Sequence, residues 1–216
     1  MPAVKHVPEW FKKIKPTQKD SHGRDRYGDH LKTAKKCLPL VDAMSLGFII
    51  PLFASAHVRT SETGEFMESP TTTPFGSAAQ FHPIEQLGGS TSPTYPGPAI
   101  KFINHWIIKT APGYSCLFTP PLNHIEPRFT CLSGVVDTDS YFKEINFPAI
   151  WHAKNFDGTV ESGTPLVTVI PFKRSDAAKT ANIREIRPKE AAFAATLFIK
   201  QELRPSVYTK ELKKPR

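Results

Sequence analysis

Lys101-Phe-Ile-Asn-His-Trp-Ile-Ile-Lys-Thr110, followed by Ala111-Pro-Gly113 and Tyr114-Ser-Cys-Leu-Phe-Thr119, is the stretch on which the reading of the chain turns. Its first part is dense in β-branched and aromatic residues, which fit a pleated surface better than a helix. Pro112 fixes φ and Gly113 is free to take φ > 0, so these residues make a turn. Tyr114 to Thr119 alternates in polarity. The two halves are therefore expected to pair as a hairpin that buries Trp106 or Ile107 together with some of Tyr114, Cys116 and Phe118. Pro120 and Pro121 have no amide hydrogen to give a ladder and end the pairing.

Downstream, Phe129 to Asp137, Glu144 to Ile150 and Leu166 to Phe172 have the length of strands, with Gly134, Gly158 and Gly163 at turn or bulge positions. No helical segment separates them, so the pairing is antiparallel: parallel strands would need crossovers that this stretch lacks. The fold expected is mainly β, an antiparallel β-sandwich or a jelly-roll or barrel-like domain over residues 37–174, with short helical terminal extensions at 1–36 and 175–216. Upstream, Pro39 starts a short helix through Leu46, Gly47 releases it, and Phe48 to Phe53 enters the sheet at an edge because of Pro51. Ala56 to Thr60 continues extended, with a hairpin tip at Thr63-Gly64-Glu65. The Ser, Thr, Pro and Gly tract 68–98 reads as an irregular insertion anchored by Phe75, Phe81, Ile84, Leu87 and Tyr95, with one helical turn at Pro83 to Leu87.

Proline supplies 21 of 216 residues, which favours extended structure over helix. Three cysteines, Cys37, Cys116 and Cys131, and the lack of a secretory leader or a membrane-spanning apolar run point to a reduced cytoplasmic setting in the producing cell, with Cys116 and Cys131 as small buried thiols. The net charge of +8 is uneven: +6 over residues 1–36, −3 over 37–174 and +5 over 175–216. Basic ends on an acidic body suit either phosphate or the acidic bodies of neighbouring copies. No zinc-finger spacing, aromatic RNA-binding pair or helix-turn-helix accompanies the charge, so specific nucleic-acid recognition is not expected.

The terminal helices carry the candidate interface. Pro8-Glu-Trp-Phe-Lys-Lys-Ile14 has a proline in the first turn, an acid at the positive end and lysines at the negative end, and its apolar residues Trp10, Phe11 and Ile14 are expected to cover either the protein's own β-domain or a neighbouring subunit. Pro188 to Leu203 is the strongest helix signal, with Phe193 and Leu197 on one side and Pro205 closing it. Thr17 to His30 reads as a polar linker, and Ser206 to Arg216 as a basic tail with Tyr208 and Leu212 as anchors.

Pro8-Glu-Trp10, Lys36-Cys-Leu-Pro39 to Gly47-Phe-Ile-Ile50, Trp106 to Pro121, Gly134 to Asp139, Asn146-Phe-Pro148 and Gly163-Thr-Pro-Leu166 to Arg174 together resemble an uncharacterised protein family of tailed bacteriophages and bacteria, marked by the Lys-Thr-x-Pro-Gly-Tyr-Ser block at Lys109 to Ser115. That resemblance implies a virion component and no particular activity. Gly134-Val-Val-Asp-Thr-Asp139, with Tyr141 after it, is also similar to the central motif of the trimeric dUTPase and dCTP deaminase β-folds. The resemblance implies that Asp137 orients an attacking water and Tyr141 stacks near a base. The phosphate-binding serine motif of those enzymes is replaced here by Pro120 to Glu126, and no glycine follows Gly163 to form their terminal lid.

The residues alone leave two roles open for Asp137 and Asp139: an acid pair or cation site, or turn caps with Tyr141 packed as an anchor. A working site would need basic donors opposite the acids, for which Lys109, Lys143 and Arg128 are nearest in sequence, or a metal on His105 or His152. No His-x-His or His-x-Asp pair supports a metal, and no cofactor is implied. The function expected is a structural or interaction module of a larger assembly, a homo-oligomer or a virion, not associated with a membrane; a nucleotide or small-molecule hydrolase is the alternative.

Overall fold

The computed structural model describes residues 1–18, 31–67, 72–73, 76–91, 98–177, 180–181, 183–204, 211 and 213. The apolar runs form strands β1 (Phe48–Pro51), β2 (Ala56–Arg59), β3 (Ala79–His82), β4 (Ala99–Phe102), β5 (Tyr114–Thr119), β6 (Phe129–Cys131), β7 (Gly134–Val136), β8 (Phe147–Trp151), β9 (Asp157–Val160) and β10 (Pro165–Lys173). Helices α1 (Glu9–Lys13), α2 (Leu38–Ser45) and α3 (Pro188–Leu203) accompany them. One sheet has the order β6-β8-β4-β3, a second β7-β5-β10-β1, and β2 pairs with β9 as a ribbon. All described pairs are antiparallel, including the two-residue ladders of Thr17–Gln18 with Leu31–Lys32 and of Thr72–Thr73 with Gly76–Ser77. The protein is thus mainly β with a few short helices, and among the described residues neither four-stranded sheet closes on itself. Two compact units divide the chain, Met1–Ala177 and Ala178–Arg216, the second containing α3. No described helix is long and apolar enough to cross a membrane.

The hairpin expected across residues 101–119 does not form. Lys101 and Phe102 belong to β4 and pair with Pro148 and Phe147, whereas β5 pairs with β10 and β7. Asn104 is the cause. Its buried amide donates to Trp106 O at 2.9 Å and its carbonyl accepts the Trp106 N–H at 3.2 Å, while its own N–H donates to Asn146 Oδ1 at 3.0 Å. These local bonds satisfy the backbone in place of a ladder, and between Ile103 and Thr110 only the isolated bridge of Ile107 to Glu144 remains among the described pairings. Trp106 and Ile107 are consequently 65% and 60% exposed instead of buried. The turn itself forms as expected, with Gly113 at φ 86° and Tyr114 N–H donating to Ala111 O.

Phe129 to Asp137 is likewise two strands rather than one. At the corner between them Leu132 N–H donates to Pro148 O in the first sheet, and the Ser133 hydroxyl donates to Thr119 Oγ1 in the second. The chain changes sheet within two residues. Part of the Ser/Thr-rich tract 68–98 is not irregular either: β3 forms the edge of the first sheet, with Ala79 opposite Phe102 and Phe81 opposite Ile100. Ala78 and Ala79 are fully buried there. Ile84–Leu87 makes the expected helical turn, ended by Gly88. Phe75 and Tyr95 lie outside the described residues, as do residues 19–30 of the linker and Tyr208 and Leu212 of the tail.

Strand alternation builds the core. In the first sheet Ile100, Phe102, Phe129, Phe147 and Trp151 join the buried cluster, and in the second sheet Ile50, Cys116, Phe118, Val167 and Val169 do so. Phe118 and Phe147 meet across the sheets with ring centroids 6.0 Å apart. The free edge of β1 is covered by the start of the chain, since Ile49 N–H donates to Met1 O and Ala3 N–H to Gly47 O, which removes an open row of backbone groups.

Gly47 links α2 to this edge strand at φ 74°, and a Cβ there would stand 2.2 Å from Val169 O. Gly113 has φ 86° with open space around it. Gly47→Ala is therefore expected to cost about 2–3 kcal/mol, strain plus a backbone clash, and Gly113→Ala about 1 kcal/mol from φ alone. Urea denaturation checks this, and equal losses would discount the Val169 contact.

Candidate functional site

The site residues separate when placed on the fold. Asp137 and Asp139 follow β7, in a turn where the Asp137 carbonyl accepts the N–H groups of Ser140 and Tyr141 at 3.0 and 2.9 Å. Both carboxylates reach outside this turn, and that of Asp139 also takes a backbone amide within it, its own. Asp137 Oδ1 accepts the Ser115 hydroxyl at 2.6 Å, and Asp139 Oδ2 accepts the Gly113 N–H at 2.8 Å. Tyr141 is 43% exposed, so it does not pack as an anchor.

The basic group opposite the acids is Arg174, at the end of β10, and not Lys109, Lys143 or Arg128. Its guanidinium grips Asp139 through both terminal nitrogens, Nη1 to Oδ1 at 3.0 Å and Nη2 to Oδ2 at 2.6 Å, and stands 3.5 Å from Asp137 Oδ1. Nη1 also donates to Tyr114 O and Ser115 Oγ, and the Arg174 backbone N–H donates to Gly113 O. A bidentate pair of this kind is strong and directional. The Arg174 guanidinium, helped by the Gly113 N–H, holds the Asp139 carboxyl down at about 2. Such a carboxylate carries no proton to donate near neutrality. What the cluster does is tie three loops together: the end of β10, the Ala111–Gly113 turn and the segment after β7.

Two of the other basic candidates, Arg128 and Lys109, are engaged elsewhere. Arg128 forms a two-point pair with Glu126, at 2.7 Å through Nε and again through Nη2, and donates to Thr159 O. Lys109 Nζ lies 5.4 Å from the Phe142 ring. His105 packs edge-on against Phe53 and stands 3.8 Å from Glu144, while His152 Nε2 shares a hydrogen bond with Thr130. The two histidines do not converge with the aspartates, and the described residues contain no group of three His, Cys, Asp or Glu able to hold a metal.

The candidate interface residues also differ from one another. Phe11 is buried within its own unit, and Lys35 Nζ lies 5.5 Å from its ring while donating to Phe11 O and Lys12 O at the end of α1. Trp10 donates its indole N–H to Asn123 O at 3.0 Å, and Ile14 is half-buried. On α3, Phe193 is 68% exposed and Leu197 half-buried.

Sequence reading had no access to Arg174 as the acids' partner, because it lies 35 residues from Asp139. The signal that finds it is register: Lys173 pairs with Tyr114, which sets the next residue beside the turn that Asp139 binds.

The Asp139–Arg174 pair makes a pH prediction. Because the folded-state carboxyl is held below its ordinary value of 3.8, its stabilisation is complete above that value and is lost as pH falls towards about 2. Asp139→Asn is expected to lower the urea midpoint at neutral pH, with the gap to the parent closing in acid; a gap that stays constant down to that pH would remove the ion pair from the account. The chain matches no protein-family model, no curated protein and no solved structure.

Proposed function

We propose that the chain is a structural or interaction module of a larger homo-oligomeric assembly, of the kind a phage virion contains, built on a sandwich of the two four-stranded sheets. Helix α3 carries this reading. Phe193, Phe198, Ile199 and Leu203 are between 57% and 77% exposed, and at about 100° per residue Phe193, Phe198 and Ile199 point to three different sides. Exposed apolar side chains on several sides of one helix suit enclosure by several partners more than one flat contact. Ile183 and Ile186 ahead of it, 97% and 61% exposed, extend the apolar surface.

The hydrolase reading draws support from Arg174, a cation opposite two acids. Against it, both terminal nitrogens of Arg174 donate to protein oxygens, and Asp139 has no proton to give near neutrality. Assembly is the better-supported function.

Light scattering tests it. The full chain is expected to run as an oligomer, and Phe193→Glu combined with Ile199→Glu to run as a single chain with its circular dichroism kept, since each buried aromatic or aliphatic contact is worth about 1.5–3 kcal/mol. A full chain of single-chain mass overturns the proposal. The basic ends are expected to meet acidic protein surfaces, so the oligomer mass should change with salt while retention on DNA stays negligible at physiological ionic strength; steeply salt-dependent retention would assign them to phosphate instead.

A further inference from the structure

The alternation that builds the core continues past the point where the core ends. Register sets Phe48 beside Val169, Val169 beside Phe118, and Pro171 beside Cys116, all on the core-facing side of the second sheet. Ile50, Cys116 and Val169 are 8% exposed or less, whereas Phe48 at 49% and Trp106 at 65% stand at the mouth. Between this face and the Trp106–Thr110 segment lies an open cleft of about 520 Å³, within the size range of small-molecule sites. Asn104 shapes it, because the same local bonds that prevent the hairpin carry Trp106 and Ile108 out to form the facing wall.

The lining leaves little for a polar ligand to bind. The Thr110 hydroxyl is bonded to Tyr114 O and Thr138 Oγ1, and Cys116 Sγ accepts from the Thr138 hydroxyl. An extended peptide has no free ladder either, because the β1 edge is already paired with Met1 and Ala3. Lys109 is the one charged side chain in the lining, and Met1 adds the amino terminus, whose ammonium is held on Ile49 O. Lys109 is exposed, and its ammonium rests near the Phe142 ring.

We propose that this cleft binds a linear aliphatic carboxylate, with the hydrocarbon chain between Val169 and Trp106 and the head group on Lys109. Apolar burial supplies the affinity, and the positive charge at the rim selects the sign of the head group. The site is independent of the assembly reading, since none of its lining comes from α3.

Isothermal titration of the full chain with dodecanoate, dodecan-1-ol and dodecyltrimethylammonium, each below its micellar concentration, tests the site. Dodecanoate is expected to bind saturably, one per chain, and more tightly than the cationic amphiphile. Lys109→Glu, at an exposed position, should weaken dodecanoate about tenfold or more while leaving dodecan-1-ol unchanged. Ile108→Trp should fill the cleft and weaken both ligands, and Phe193→Glu with Ile199→Glu should leave dodecanoate binding intact. Absence of saturable binding, equal affinity in Lys109→Glu, equal affinity for the cationic amphiphile, or loss of binding in the α3 variant each overturns the proposal.

Discussion

The Trp151 ring joins the first sheet to the β2-β9 ribbon, and the rest of the larger unit depends on that junction. The ring is 2% exposed and lies near Phe129 from its own sheet, Phe66 from the turn after β2 and Phe156 just before β9, at centroid distances of 6.1, 6.1 and 5.4 Å. Phe66 in turn stacks on Phe81 of β3 at 4.3 Å. One polar atom completes the arrangement. Ala153 O accepts both the Trp151 indole N–H and the hydroxyl of buried Thr60, and that hydroxyl accepts the Phe156 N–H. A large apolar surface and a satisfied indole donor in one place let a short ribbon hold its position without a wide interface.

The acid–arginine cluster and the apolar cleft share a wall. Thr138, fully buried between Asp137 and Asp139, accepts the Thr110 N–H through its carbonyl and bonds Thr110 Oγ1 and Cys116 Sγ through its hydroxyl. The grip of Arg174 on Asp139 therefore fixes the turn from which the cleft wall is suspended. Charge satisfied at the surface stiffens an apolar hollow a few residues away, which places the cluster's importance in positioning and not in proton transfer.

Much of the architecture was legible because its causes are local. Gly47 after a short apolar helix, Pro51 on an edge strand, Gly113 in a turn and Pro188 at the head of α3 each act through their own backbone, so a single sequence exposes them. What was not legible depends on side chains that override local preference. Asn104 sits inside a run that reads as a strand and cancels it by bonding its own neighbourhood. Leu132 and Ser133 are ordinary residues that turn a corner because two different sheets claim them. Ala79 to His82 is a strand in a tract whose composition suggests a loop, held by pairing with β4 and not by its own propensity. The candidate site suffered in the same way: Asp137 and Asp139 were visible, but Arg174 becomes their neighbour only through the pairing of β10 with β5.

The three thiols are distributed so that each answers a different question about the fold. Cys37 is exposed, whereas Cys116 lies in the second sheet and Cys131 in the first, both buried. Burial raises both interior thiols above their ordinary value, Cys131 to about 12, so neither forms an appreciable thiolate while the sheets are closed. An alkylating reagent therefore modifies Cys37 at once and the other two only when their surroundings open. The rates at which Cys116 and Cys131 are modified are two internal clocks, one in each sheet, and whether they run together tells if the two layers separate as one cooperative unit or come apart in sequence.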